Sequence, residues 1–225
     1  MPNTDHLQKY PLFEDLTESE LAGLLPHIHK RVFAKGVYLF HPGNPGLNLY
    51  LVESGMVRLF FAGTRGQEFL LNLAGPRTCV GLPLLMDDQV RIIGAAAHQD
   101  AVVLSLSRDV AFDFMKRSPQ FMFNIYLQMS NSLRMLGRYT QSIATLSLDG
   151  RMASLFLHLN RDNNRGKTNE VKLPVSQAEI AGWVGASRGR VNRVLAKMQE
   201  LNLIRVEGQK ILLLDRQGLE KMAEA

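Results

Sequence analysis

Residues 175–204 carry the pattern that most constrains how this chain can fold. Ser176 to Glu179 read SQAE, a capping box that can begin a helix, and Gly185 can end that helix in a left-handed backbone conformation. Ser187 can then cap a second helix. Apolar residues recur in that second helix at helical spacing: Val191, Val194, Leu195 and Met198. Two short helices joined by a glycine turn predict a helix-turn-helix.

The second of these helices leaves basic and amide side chains outside its apolar register. Arginine can form paired hydrogen bonds with guanine and asparagine with adenine, so this face predicts the reading of base edges in a DNA major groove. The alternative is a solvated basic helix in a small domain of another kind. The predicted DNA contacts, which include the start of the first helix, are Ser176, Gln177, Ser187, Arg188, Arg190, Asn192, Arg193 and Lys197.

The net charge supports the same region as a DNA-binding part. Residues 1–150 carry 13 basic and 13 acidic side chains, whereas residues 151–225 carry 13 basic and 8 acidic ones, which accounts for the whole net charge of +5. An excess of positive charge where the helix-turn-helix lies is what phosphate neutralisation requires. Double-stranded DNA is therefore the expected partner.

Composition excludes several other classes of protein. The chain has 225 residues, 46% of them hydrophobic, which suffices for one or two domains with cores. No apolar run reaches 18 residues, so no membrane partner is expected. The first residues are charged, so no secretory signal is expected either. The expected location is therefore the cytoplasm. Cys79 is the single cysteine, which excludes an internal disulfide and a four-cysteine iron–sulfur cluster. Catalytic groupings and metal-spaced histidines are not recognisable in the sequence, which argues against an enzyme and against a metal site.

Short apolar runs between residues 32 and 106 alternate with turn signals. Breaks such as Pro42-Gly43 and Ser54-Gly55 separate them. The clearest runs are Val37–Phe40, Leu49–Val52, Val57–Phe61, Phe69–Leu73 and Ala101–Leu106. Many short strands with regular turns predict a sandwich or barrel.

Residues 108–148 change to a helical pattern, with a long helix from Pro119. Eight positions, seven of them apolar, follow the 3,4 spacing of a heptad seam: Met122, Ile125, Met129, Ser132, Leu136, Tyr139, Ile143 and Leu146. Such a seam predicts a helix that pairs with its copy in a homodimer; the alternative is a helix packed on its own domain. The residues expected at the dimer interface are Ile125, Met129, Leu136, Tyr139, Ile143 and Leu146.

Asp149-Gly150 predicts a hinge after this helix, followed by a helix over 152–159 and a polar loop over 160–169. Beyond the helix-turn-helix, two short apolar runs around Gly208 predict a hairpin, the wing of a winged helix. The expected fold class is therefore α+β. Its domains are an N-terminal jelly-roll β-barrel sensor over 1–118, a dimerisation helix over 119–148, and a C-terminal winged helix-turn-helix over 149–225.

The chain resembles the CRP/FNR family of bacterial transcription regulators over nearly its whole length. The run GVYLFHPG at 36–43 and the run LYLVESGMVR at 49–58 are similar to the opening of the family's cyclic-nucleotide-binding roll. The long helix, hinge and winged helix follow in the family's order. The resemblance implies a homodimer in which an effector in the roll sets the competence of the DNA-binding heads, and it implies contact with RNA polymerase.

The resemblance also locates an effector pocket and shows how this chain departs from it. The family's cyclic AMP pocket has Gly-Glu-Leu followed by Arg and a hydroxyl residue. Here Leu82 follows Gly81 where glutamate would bind the ribose, and Ile92 follows the retained Arg91. On the long helix, the positions that would contact adenine fall on Leu136 and Gly137. An unpaired buried hydroxyl costs roughly 1–3 kcal/mol, so tight binding of cyclic AMP is not expected. In the recognition helix, Gly189 stands where the family often has glutamate, so the usual operator half-sites are not expected either.

The identity of the effector stays open at this level. Arg91 could hold an anionic effector or be a structural arginine paired with a nearby carboxylate, and a regulator without an effector is a further alternative. Haem is another, as in gas-sensing members of the family. Its candidate ligands are His27, His29, His41, His98, His158 and Cys79. A nucleotide-binding module acting on a protein partner is the rival class, but it has no use for the winged helix.

Overall fold

The computed structural model of the chain describes residues 3–63, 68–85, 90–164, 170–172, 177–208 and 210–224. The contacts within the chain divide it into two units, residues 1–135 and 136–225. The boundary falls inside the long helix.

The first unit begins with short helices that pack into its core. They are α1 (Thr4–Leu7), a 3₁₀ turn (Pro11–Phe13), α2 (Glu18–Leu24) and a second 3₁₀ turn (Leu25–His27). Thr17 begins α2 with a capping box: its backbone N–H donates to Glu20 Oε2 at 2.9 Å, and the Glu20 N–H donates to Thr17 Oγ1 at 3.3 Å.

Antiparallel strands follow and form the predicted roll. Their bounds are β1 (Ile28–Phe33), β2 (Tyr38–Phe40), β3 (Asn48–Ser54), β4 (Val57–Ala62), β5 (Glu68–Ala74), β6 (Cys79–Val80), β7 (Gly94–Ala97) and β8 (Ala101–Ser107). Among the described residues they make two four-stranded sheets, in the orders β1-β8-β3-β6 and β2-β7-β4-β5. Both sheets contribute side chains to the core, and Val52, Val57 and Val103 are fully buried. The jelly-roll prediction is confirmed.

Two helices complete the first unit, α3 (Arg108–Arg117) and the long α4 (Pro119–Thr145). Ser118 caps α4, because its Oγ accepts a hydrogen bond from the Phe121 N–H at 3.3 Å. The Phe121 ring stacks on Phe13 at 5.9 Å between centroids. The buried Asn124 amide donates to the carbonyls of Leu12 at 3.2 Å and Glu14 at 2.7 Å. These contacts fix which face of α4 lies on the roll.

That orientation covers part of the predicted dimer seam. Ile125 has no exposed surface and Met129 packs on the same core, so both contact their own domain. Further along, Ile143 is partly exposed, but its Cδ1 lies 3.1 Å from where a Cβ on Gly185 would stand. Burial raises the pKa of Tyr139, while the nearby Arg151 charge lowers it. Leu136 is half-buried on the same row, and Leu146 Cβ lies 3.5 Å from where a Cβ on Gly150 would stand. Ile125 and Met129 of the row expected between subunits are thus covered by their own chain, whereas Met122, Ser132 and Ile143 of that row are exposed.

The neighbouring row of α4 carries the most exposed large apolar side chains of the helix. Phe123, Tyr126 and Leu133 are 54%, 65% and 68% exposed. With the half-buried Ser130 and the exposed Gly137, Thr140 and Ala144, they repeat the 3,4 spacing one position later than predicted. We call these seven residues the exposed row. Three of its members are large and apolar, and the other four have small side chains.

The second unit holds the rest of α4 and a winged helix-turn-helix. Its elements are α5 (Leu148–Asn164), β9 (Glu170–Lys172), α6 (Gln177–Trp183), α7 (Arg188–Glu200), β10 (Ile204–Glu207), β11 (Lys210–Leu213) and α8 (Arg216–Glu224). The strands pair antiparallel in the order β10-β11-β9. The β10–β11 hairpin is the predicted wing, and Gly208 in its turn has φ +61°.

The predicted hinge at Asp149-Gly150 is wrong. Helix α4 ends at Thr145, and Ser147 caps α5, its Oγ accepting from the Gly150 N–H at 3.1 Å. Asp149 and Gly150 therefore lie in the first turn of α5. Gly150 is buried, and a Cβ there would stand 3.0 Å from the Met222 carbonyl oxygen, so this glycine permits close packing instead of a bend. Of the polar loop predicted over 160–169, residues 160–164 belong to α5 instead, and residues 165–169 lie outside the described residues.

Among the described residues, no helix is both long and apolar enough to cross a membrane.

Candidate nucleic-acid interface and effector pocket

The turn between α6 and α7 has the geometry that the sequence indicated. Gly185 has φ +64°, a conformation that favours glycine, and the Ala186 N–H donates to the Ala181 carbonyl at 2.9 Å. Ser187 caps α7, because its Oγ accepts from the Arg190 N–H at 3.4 Å. This local hydrogen bond fixes where α7 begins.

Helix α7 has one buried and one exposed face. Val191, Val194, Leu195 and Met198 are buried in the second unit. The exposed residues include Arg188, Gly189, Arg190, Asn192, Arg193 and Lys197. Five long polar side chains, four of them cationic, are therefore displayed on one helix that apolar packing holds rigidly.

The other predicted DNA contacts lie on α6 and before it. Gln177 is the exposed first residue of α6. Ser176, with the capping box that it was expected to begin, lies outside the described residues. Ser187 is exposed beside the cap that it forms.

Lys197 is not free, which the sequence did not indicate. Its Nζ forms an ion pair with Asp149 Oδ2 in the first turn of α5. The pair lies in an open cleft of about 390 Å³ that Arg190 and Arg193 also line. A separation of 48 residues gives no local pattern from which this contact could be foreseen.

In the roll, Arg91 is a buried cation. It is 4% exposed, and its guanidinium carbon lies 3.6 Å from the centroid of the Phe40 ring. Its Nη2 donates to the Asn48 carbonyl at 2.6 Å, and its Nε has no hydrogen-bond partner among the described residues. Desolvation by burial lowers the pKa of Arg91 to about 10, so it stays charged near neutral pH. Among the described residues no carboxylate forms an ion pair with Arg91, and the groups that contact its guanidinium there are an aromatic ring and a backbone carbonyl.

Of the other expected pocket residues, Gly81 lies beside Arg91 and Leu82 lies in the first core. Gly81 has φ +100°, and a Cβ there would stand 2.9 Å from Arg91 Nη1, so only glycine leaves room for the guanidinium. Leu82 is 5% exposed and packs with the leucines of the first core. The sequence did not indicate Phe40 and Asn48 as contacts of Arg91, because both lie more than 40 residues earlier in the chain.

The other residues predicted to line the pocket are Ile92, Leu136 and Gly137. Ile92 is 78% exposed, whereas Arg91 beside it is buried, so the two side chains point opposite ways and the placement of Ile92 in the pocket is wrong. Leu136 is half-buried and Gly137 exposed on the part of α4 that belongs to the second unit.

The metal-ligand candidates are scattered. In the part of the chain that the structure describes, no group of three or more His, Cys, Asp or Glu side chains could hold a metal ion. Burial raises the pKa of Cys79 to about 12, so its thiol is protonated near neutral pH and is a poor metal ligand.

A double-sheet roll and a winged helix-turn-helix on one chain define the class of DNA-binding regulators with a sensor domain. Family models agree: the cyclic nucleotide-binding domain matches residues 30–118, and the Crp-like helix-turn-helix domain matches residues 150–222.

Known proteins match the chain over nearly its full length. A cyclic AMP receptor protein of Thermus thermophilus is 30% identical over 213 residues, which cover 95% of this chain and 96% of the relative. A CRP-like cAMP-activated global transcriptional regulator of Mycobacterium tuberculosis is 27% identical over 219 residues, covering 96% and 98%. The crystal structure of a CRP/FNR-family transcriptional regulator from Thermus thermophilus is similar with a TM-score of 0.72 and 28% identity, covering 88% of this chain and 99% of that one. The chain belongs to the CRP/FNR family of transcription regulators, which are not enzymes.

Proposed function

We propose that this regulator is a homodimer that binds a specific, two-fold symmetric DNA sequence. The observation that carries the proposal is the exposed face of α7, where arginine and asparagine side chains suited to base edges stand on a rigidly packed helix. Family membership adds RNA polymerase as the expected partner on DNA.

The exposed row of α4 supports the dimer. Large apolar side chains on one face of a 27-residue helix, at heptad spacing and without cover from their own chain, are typical of a helix that pairs with a copy of itself. Gly137, Thr140 and Ala144 at the end of the row would let two helices approach closely. A two-fold dimer presents two recognition helices about one DNA turn apart, ~34 Å.

Competition in a gel shift tests sequence specificity. A promoter fragment that the regulator binds should resist an excess of non-cognate DNA of equal length, because specific complexes are typically about 4–10 kcal/mol more stable than non-specific ones. Equal competition by both fragments, at physiological salt, would contradict the proposal.

We further propose that the effector is not cyclic AMP. Two of the relatives are named for cyclic AMP, but the position that would bind its ribose here carries Leu82, which is already packed in the core. Burying a ribose hydroxyl without a partner costs roughly 1–3 kcal/mol, and the lost hydroxyl contacts on α4 add to this. Arg91 alone remains, a buried cation whose Nε lacks a partner. It favours an anionic effector of another shape; a regulator without an effector is the alternative.

Cyclic AMP at micromolar concentration should therefore leave the unfolding temperature of the purified protein unchanged and give no heat in isothermal titration calorimetry. A thermal shift or a binding isotherm in that range would contradict this prediction. Mass spectrometry of the small molecules extracted from the purified protein, with its visible absorbance, distinguishes a co-purified anion, haem and no effector.

A further inference from the structure

Lys197 lies on the side of α7 that faces the first residues of α5. Arg190, Arg193 and Lys197 are three and four residues apart, so they lie on one side of the helix, and all three line the cleft described above. The other described residues of that lining are Ser147, Leu148, Asp149 and Val194. Asp149 is thus the one acid in this part of the described surface.

The Asp149 carboxylate lies in a cleft whose cationic lining would also suit a DNA phosphate. It is an anion in a cleft that three cations line, and it lies in the first turn of α5, where the helix dipole favours negative charge. Its side chain is 25% exposed and that of Lys197 is 55% exposed, so the ion pair stands at the surface where DNA would approach. A phosphate that reached this cleft would have to replace the carboxylate or share Lys197 with it.

We infer that Asp149 masks Lys197 as a phosphate contact and thereby lowers the affinity of this regulator for the DNA backbone. This inference rests on the proposed function and concerns the same surface. Backbone contacts carry no sequence information but supply essentially all of non-specific binding. By neutralising Lys197, the Asp149 carboxylate weakens retention of the regulator on non-specific DNA. The base contacts with the operator are unaffected.

Two substitutions separate this mask from an ordinary surface charge. In the otherwise unchanged protein, K197Q should alter DNA affinity by less than about twofold, because the lysine is already neutralised. D149N should tighten binding to operator and to non-cognate DNA alike by about two- to fivefold, the equilibrium equivalent of one exposed ion pair. In the D149N background, K197Q should reverse that gain.

The salt dependence gives a second readout. Freeing one cation for a phosphate should steepen the plot of log K against log salt by about 0.9 for D149N. Glu224→Gln is the matched control: it makes the same charge change in the same unit, on an exposed residue at the end of α8. Thermal unfolding of each variant checks that the fold is kept.

Fluorescence anisotropy with the full-length protein, operator duplex and non-cognate duplex decides the outcome. The mask is supported if D149N alone tightens binding and needs Lys197 to do so. It is overturned if D149N and E224Q have equal effects, or if K197Q weakens the unchanged protein as much as it weakens D149N. Failure of the unchanged protein to discriminate operator from non-cognate DNA would overturn the proposed function instead.

Discussion

Leu133→Glu is expected to convert the regulator from dimer to monomer. Leu133 is 68% exposed within its own chain, so the substitution leaves the fold of each subunit intact. In the proposed dimer it lies in the helix pair, where two unpaired carboxylates would be buried. Each costs several kcal/mol, so the dimer Kd should rise at least about 100-fold. Sedimentation velocity over a range of concentrations measures the change, and operator affinity should fall with it.

A neighbouring residue supplies the control for register. Ser132 belongs to the row that the sequence pattern predicted, is exposed, and donates to the Gln128 carbonyl at 3.0 Å. Ser132→Glu should leave the dimer largely intact, because its side chain flanks the exposed row. If Ser132→Glu dissociates the dimer and Leu133→Glu does not, the interface lies on the row predicted from the heptad pattern. The exposed row is then not the interface.

Arg188→Ala and Arg193→Ala should each weaken operator binding by ~1–3 kcal/mol, roughly 5- to 150-fold in Kd, since a paired arginine–guanine contact is worth that much. Both side chains are exposed on α7. Their loss should also relax the base preference at the contacted positions, which a gel shift with single-base operator variants detects. Non-cognate DNA should lose much less affinity.

Arg216→Ala controls for the lost positive charge. Arg216 lies on α8, where its Nε donates to Glu220 at 3.1 Å, away from the predicted contacts. If the two α7 variants lose no more operator affinity than Arg216→Ala and keep their base preference, the helix does not read DNA as proposed.

Apolar runs and helix caps in the sequence predicted many of the strands and helices. The short runs ending in Phe40 and starting at Val57 became strands, and the Ser187 cap began α7 as expected. The strand Gly94–Ala97 carries no strand pattern of its own, because glycine and alanine have low strand propensity. Their small size has a packing reason: a Cβ on Gly94 would stand 2.2 Å from the Phe60 ring.

The misses share one cause, which is that non-local packing selects among locally equivalent patterns. Two rows of α4 repeat at heptad spacing, and the contacts of Phe121 and Asn124 with the N-terminal segment decide which one is covered. The sequence pattern at Gly150 predicts a hinge, whereas the structure shows a glycine that makes room for the Met222 carbonyl. Likewise, the counter-group of Arg91 is the Phe40 ring, which lies on a strand far earlier in the chain.

Selection of bound sequences from a random DNA library tests the central claim most directly. A symmetric dimer should enrich a two-fold symmetric site whose half-sites are centred about 10–10.5 base pairs apart, or a multiple of that. The enriched half-site should lose its preference in the Arg188→Ala and Arg193→Ala proteins. Recovery of no enriched sequence, or of a single site without symmetry, would contradict it.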